Sequence, residues 1–83
     1  MKTLVLNKVK EEKFSKVVWQ VKEITSQYIK VIIDDIEENA ELLNELKEWF
    51  ASKSASVNEN EDDTCYLFTD LVVRFYYLSS EEN

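Results

Sequence analysis

DIEENAELLNELKEWFASK, residues 35–53, is the stretch on which the fold turns. Ile36, Leu43 and Phe50 recur every seven residues, and Leu42, Leu46 and Trp49 widen that line into a full apolar side. This is the period of an amphipathic helix with one face against a core. Leu, Glu, Lys and Ala, all good helix formers, dominate the segment. Asp35 stands where an N-cap belongs, with Glu38 three residues on, the spacing of a capping box.

The segments on either side read as strands. KTLVLNKVK (2–10) is short and partly alternating. SKVVWQVKEI (15–24) and QYIKVII (27–33) are rich in β-branched and aromatic residues, as is TCYLFTDLVVRFYYL (64–78). That composition suits a pleated, half-buried surface. SASVNENEDD (54–63) is small, polar and acidic, which predicts an exposed loop, and the tail 79–83 is expected to fray. The predicted fold is therefore α+β: a small antiparallel sheet on one main helix, in the order β-β-β-α-β. Leu4, Leu6, Val17, Val21, Ile32, Ile36, Leu43, Leu46, Phe50, Leu71 and Phe75 are the candidate core. A mostly helical fold is the alternative, because Ile29 continues the sevenfold repeat backwards and the chain has no Gly or Pro to mark hairpin turns.

Eighty-three residues make one expected domain, 1–83, with a modest core. The apolar fraction of 45% is that of a globular chain rather than a disordered one. The missing residues exclude whole classes of chemistry. Without Gly there is no phosphate-cradling loop, and without His the commonest general base and metal ligand are gone. Cys65 is alone, so no internal disulfide forms, and it reads as a small core residue. Asn58, Asn60 and Asp62 have the alternate spacing of a calcium loop, but Asp63 replaces the required Gly and Thr69 the closing Glu. No enzyme activity, cofactor or metal is expected. No apolar run approaches the length of a signal peptide core or a membrane span, which predicts a soluble, cytoplasmic protein, in a cell or an infected host cell.

Charge is the main functional signal. Residues 1–33 carry seven Lys against three Glu, a net of +4. Residues 34–83 carry three cations against fourteen acids, a net of −11, and the whole chain stands at −7. Such asymmetry points to partners, unless the two halves neutralise each other in the fold. Asp34, Glu38, Glu41, Glu45 and Glu48 would line one side of the helix over about 21 Å. Glu59, Glu61, Asp62 and Asp63 would extend the acidity into the following loop. Like charges at this spacing destabilise a helix by about 0.2–0.5 kcal/mol per pair. The expected partner is a basic protein surface, including one that otherwise holds nucleic acid, met in the manner of small phage-type inhibitors and nucleic-acid mimics. The bland reading of the same acids is a solvated helix face.

Two further expectations stand beside this one. Lys8, Lys10, Lys13 and Lys16, with Trp19 nearby, could form a strand-borne basic patch for nucleic acid. That would suit an antitoxin-like or regulatory DNA-binding subunit whose acidic half holds a protein partner, although a charge of −7 repels a polyanion at long range. Tyr66, Phe68, Phe75, Tyr76 and Tyr77 cannot share one face of a single strand, so either both faces are buried or one is exposed, and a second copy covering it, a homodimer, is one resolution.

Overall fold

The computed structural model describes residues 1–78. Two helices and five strands follow one another as α1 (Lys2–Val9), β1 (Val18–Thr25), β2 (Tyr28–Ile33), α2 (Ala40–Lys53), β3 (Ser56–Glu59), β4 (Asp63–Leu67) and β5 (Val72–Tyr77). Short 3-10 turns at Glu12–Phe14 and Glu37–Asn39 lead into β1 and α2. The strands form one sheet in the order β1-β2-β5-β4-β3. β2 and β5 run parallel at its centre and every other pairing is antiparallel, so the sheet is mixed rather than antiparallel throughout. Parallel neighbours need a long crossover, and the passage through α2, β3 and β4 supplies it.

The α+β reading holds and the helical alternative does not: Ile29 lies on β2, with its side chain buried in the core. Residues 2–10 are a helix, not a strand. Their apparent alternation set Leu4 and Leu6 inward, but the buried pair is Val5 and Val9, four residues apart on one helical face, and Leu6 packs against the core while only half-buried. Leu4 is 49% exposed. Ile36 is also exposed, because helical geometry starts only at Glu37, beyond it. For the same reason Asp35 is not the N-cap; that position belongs to Asn39, and no side-chain cap bond is made there.

Residues 54–63 are not simply a loop. Ser56–Glu59 form the far edge strand, and the turn that follows closes with the Asn60 N–H donating to the Asp63 carbonyl at 2.8 Å. Residues 64–78 are two strands, not one. Thr69 and Asp70 make the turn, closed by the Phe68 N–H on the Leu71 carbonyl at 2.8 Å. This resolves the crowding of aromatics: Tyr66, Phe68, Phe75 and Tyr77 all reach the core, and Tyr76 alone points to the other face. Cys65 is half-buried on that other face, where its Sγ accepts from Arg74 Nε at 3.4 Å, so it is not a core residue. The tail 79–83 lies outside the described residues.

Among the described residues none has a positive φ. The two-residue turn at Ser26–Gln27 therefore cannot be one of the mirror-image types that match strand twist. The Gln27 N–H bonds to Thr25 Oγ1 at 3.1 Å, and a register shift between Glu23 and Thr25 takes up the mismatch. A second shift between Val18 and Gln20 brackets Trp19. Bulges re-aim side chains, and the residues spanned by the two shifts, Trp19 and Ile24, are both exposed apolar residues on the β1 edge.

Both helices sit on one side of the sheet. Val5 and Val9 of α1, Leu43, Leu46 and Phe50 of α2, and Ile29, Val31, Val73 and Phe75 of the central strands share one core. Phe50 is fully buried, with ring centroids of Phe75, Tyr66 and Phe68 at 4.8, 5.3 and 6.2 Å. Thr64 Oγ1 and Tyr77 Oη, 2.5 Å apart, satisfy each other beneath α2. Phe50→Ala should cost about 3–5 kcal/mol, a large share of the roughly 4–12 kcal/mol available to a chain of this length. Leu4→Ser should cost under about 0.5 kcal/mol. Urea denaturation of the two variants checks this, and equal losses would contradict the placement of α1.

Candidate functional site

The outward side of α2 carries a row of carboxylates. Burial of Leu43, Leu46 and Phe50 fixes the helix rotation, and that rotation puts Glu41, Glu45 and Glu48 in solvent. Glu37 and Glu38 extend the face through the preceding 3-10 turn and are also exposed. Asp34 is not part of this line. It sits at the end of β2, half-buried, with its N–H donating to the Val17 carbonyl at 2.8 Å.

The fold draws three of the other predicted acids into internal pairs. Glu45 is bonded by Lys13. Glu59 Oε1 lies 2.8 Å from Lys47 Nζ, and Asp63 Oδ2 lies 3.2 Å from Arg74 Nε. Glu61 and Asp62 are exposed in the β3–β4 turn. Glu37, Glu38, Glu41 and Glu48 have no cation within ion-pair distance among the described residues. Lys47, the cation inside the helix, turns away from them toward Glu59 and the Tyr77 ring. Lys13–Glu45 joins the basic half of the chain to the acidic half, whereas Lys2–Glu23, Lys8–Glu11, Lys47–Glu59 and Arg74–Asp63 each stay within one half, so much of the polarity read from the sequence survives folding among the described residues.

The predicted basic patch is not strand-borne. Lys8 and Lys10 end α1, and Lys13 and Lys16 lie in and after the first 3-10 turn. Lys8 is 3.5 Å from Glu11 and stacks near the rings of Phe14 and Trp49, at 5.5 and 5.4 Å. Lys13 is held by Glu45, and that hydrogen bond raises its pKa. Lys10 and Lys16 are exposed. The cations that do stand on strands are Lys22, Lys30 and Arg74, on the uncovered sheet face. Sequence reading missed them as a group because they come together only through strand register.

Two shallow hollows flank these elements. One, about 250 Å³, lies between α2 and β3 and includes Lys47, Glu48, Glu59 and Tyr66. The other, about 340 Å³, lies beside Trp19, with Val9, Val18 and Val21. Burial pushes the Tyr66 phenol well above its ordinary value. No cluster of three or more metal-ligating side chains occurs among the described residues, and no helix there is long and apolar enough to cross a membrane. Comparison with protein-family models, curated proteins and solved structures returned no match, so the functional reading rests on this geometry.

The Lys47–Glu59 pair makes a testable electrostatic claim. The hydrogen bond from Lys47, with its charge, lowers the Glu59 pKa below the glutamate norm. Its contribution to stability is present above the unfolded-state value of about 4.3 and is lost as pH falls through the lower folded value. Carboxyl NMR titration should find Glu59 below that reference, and Lys47→Met should return it upward. An identical midpoint in both proteins would contradict the pairing.

Proposed function

We propose that the protein is a small, non-enzymatic binding module whose α2 face docks on a basic surface of another protein, as an inhibitor or adaptor does. One observation carries this reading. Glu37, Glu38, Glu41 and Glu48 crowd one exposed side of α2 and the turn before it, without a countercharge among the described residues. Glu41 is well placed in the first turn, where the helix dipole favours an anion. Glu48 lies toward the other end, where it gains no such help, and the i,i+3 and i,i+4 neighbours repel. A cationic partner relieves that repulsion on binding. Complementary charge of this kind speeds association and selects partners more than it adds raw affinity.

A DNA-binding role through Lys8, Lys10, Lys13 and Lys16 has less support. Two of those four are occupied by Glu11 and Glu45, and both lie against α2, Lys8 at the Trp49 ring and Lys13 at Glu45. A basic partner that itself normally holds nucleic acid fits the acidic surface best, because an exposed row of carboxylates presents the same charge as a phosphate backbone.

Reversal of Glu38, Glu41 and Glu48 to Lys separates function from a solvated face. Glu45 is left alone because of its bond to Lys13. Reversal turns the Glu41–Glu45 and Glu45–Glu48 neighbours into opposite charges, at about 0.2–0.5 kcal/mol each, but sets Lys in and before the first turn against the helix dipole, so the variant should stay within about 1 kcal/mol of the parent. A basic protein retained by the parent from nuclease-treated lysate should be lost, with affinity down at least about tenfold, or 1.4 kcal/mol. Undiminished retention by the stable variant would overturn the reading.

A further inference from the structure

Three cations stand in one row across the uncovered face of the sheet. Lys22 of β1 is in register with Lys30 of β2, and Lys30 with Arg74 of β5. Neighbouring strands lie about 4.8 Å apart, so the row is about 10 Å long. Like charges directly opposite each other weaken a sheet, yet among the described residues a single counterion reaches them, Asp63 at 3.2 Å from Arg74. Lys22 and Lys30 form no ion pair among the described residues. Two tyrosines flank the row. Tyr28 precedes Lys30 by two residues on β2, and Tyr76 follows Arg74 by two on β5, so their rings lie on opposite sides of it. Arg74 approaches the Tyr28 ring at 5.9 Å, and Lys30 approaches the Tyr76 ring at 4.6 Å. Neither helix contributes to this side, since both bury their apolar residues on the other.

We propose that this face binds single-stranded nucleic acid, with Lys22 and Lys30 on successive phosphates and Tyr28 stacking on a base. The occupant follows from the chemistry. A concentrated cation row complements a chain of phosphates, and aromatic rings interleaved with cations are a stacking platform for unpaired bases. Duplex is a poor fit, because a broad sheet face offers no helix or two-stranded ribbon to enter a major groove. A second copy packed face to face would set two cationic rows against each other. The net charge of −7 resides elsewhere, largely on α2 and the turns, so it limits affinity without occupying the site. Binding is therefore weak and salt-dependent, and it is independent of the α2 surface.

The test uses the full chain and a labelled oligothymidylate of about twelve nucleotides, read by fluorescence anisotropy. Two unneutralised cations give a salt slope of about −1.4, or roughly fifteenfold weaker binding at 150 mM salt than at 20 mM. Lys22→Glu with Lys30→Glu should abolish binding, and Tyr28→Leu should weaken it several-fold at unchanged slope. Lys22→Gln with Lys30→Gln replaces the reversal if that variant fails to fold. Four results would each overturn the proposal: no binding at 20 mM salt, equal affinity for duplex of the same length, equal affinity for polyglutamate, or a parent dimer that the lysine variants split. The Glu38, Glu41 and Glu48 reversal should leave oligonucleotide binding intact or strengthen it.

Discussion

Phe50 is where the two layers of this protein are joined. Its ring lies against Phe75 and Tyr66 from the sheet, and against Phe68 at the mouth of the β4–β5 turn. An 83-residue chain has little apolar surface to bury, and nothing covalent compensates for that. The aromatic cluster thus sets the rotation of α2, and the rotation decides which carboxylates meet water. Trp49, edge-on to Phe50 at 5.0 Å, and Lys8 above it tie the end of α1 into the same arrangement. Surface and core are one problem here: Glu41 and Glu48 are exposed because Leu43, Leu46 and Phe50 are not.

One-sided packing has a second consequence. Covering one sheet face with both helices leaves the other to carry its own chemistry. Along β5 burial alternates between Val73, Phe75 and Tyr77 on the covered side and Val72, Arg74 and Tyr76 on the open one. Along β2, Lys30 and Tyr28 share the open side with Ile32, which is buried between its register partners Gln20 and Tyr76. The acidic excess gathers on α2 and the turns, and the cations that belong to strands gather behind the sheet. A chain of net −7 thereby presents faces of opposite sign, each able to meet a different partner.

The sevenfold repeat made α2 legible, because helical periodicity over fourteen residues is hard to imitate by chance. β1 and β2 were legible from β-branched density. α1 was not, since Leu4 and Leu6 alternate as convincingly as Val5 and Val9 repeat, and the choice between them is made by packing against the rest of the core. The break at Thr69–Asp70 was visible as two polar residues between apolar runs, but without Gly or Pro it lacked the usual mark of a turn. Glu41, Glu45 and Glu48 lie on the exposed helix face as read, with Glu38 in the turn before it and Asp34 off the line, whereas the bonds from Lys13 to Glu45 and Lys47 to Glu59 depend on distant segments meeting. The row of Lys22, Lys30 and Arg74 was invisible for the same reason: its members are separated by up to 52 positions in sequence and adjoin only through strand register.

Segregation of charge between the two faces is the claim on which both binding surfaces rest, and it can be measured without any partner. Paramagnetic relaxation of backbone amides by a cationic and an anionic nitroxide of the same size reads local potential residue by residue. Segregated charge predicts that the cationic probe dominates at Glu41, Asn44 and Glu48, while the anionic probe dominates at Lys22, Lys30 and Arg74. A uniform preference for the cationic probe over both faces would contradict it.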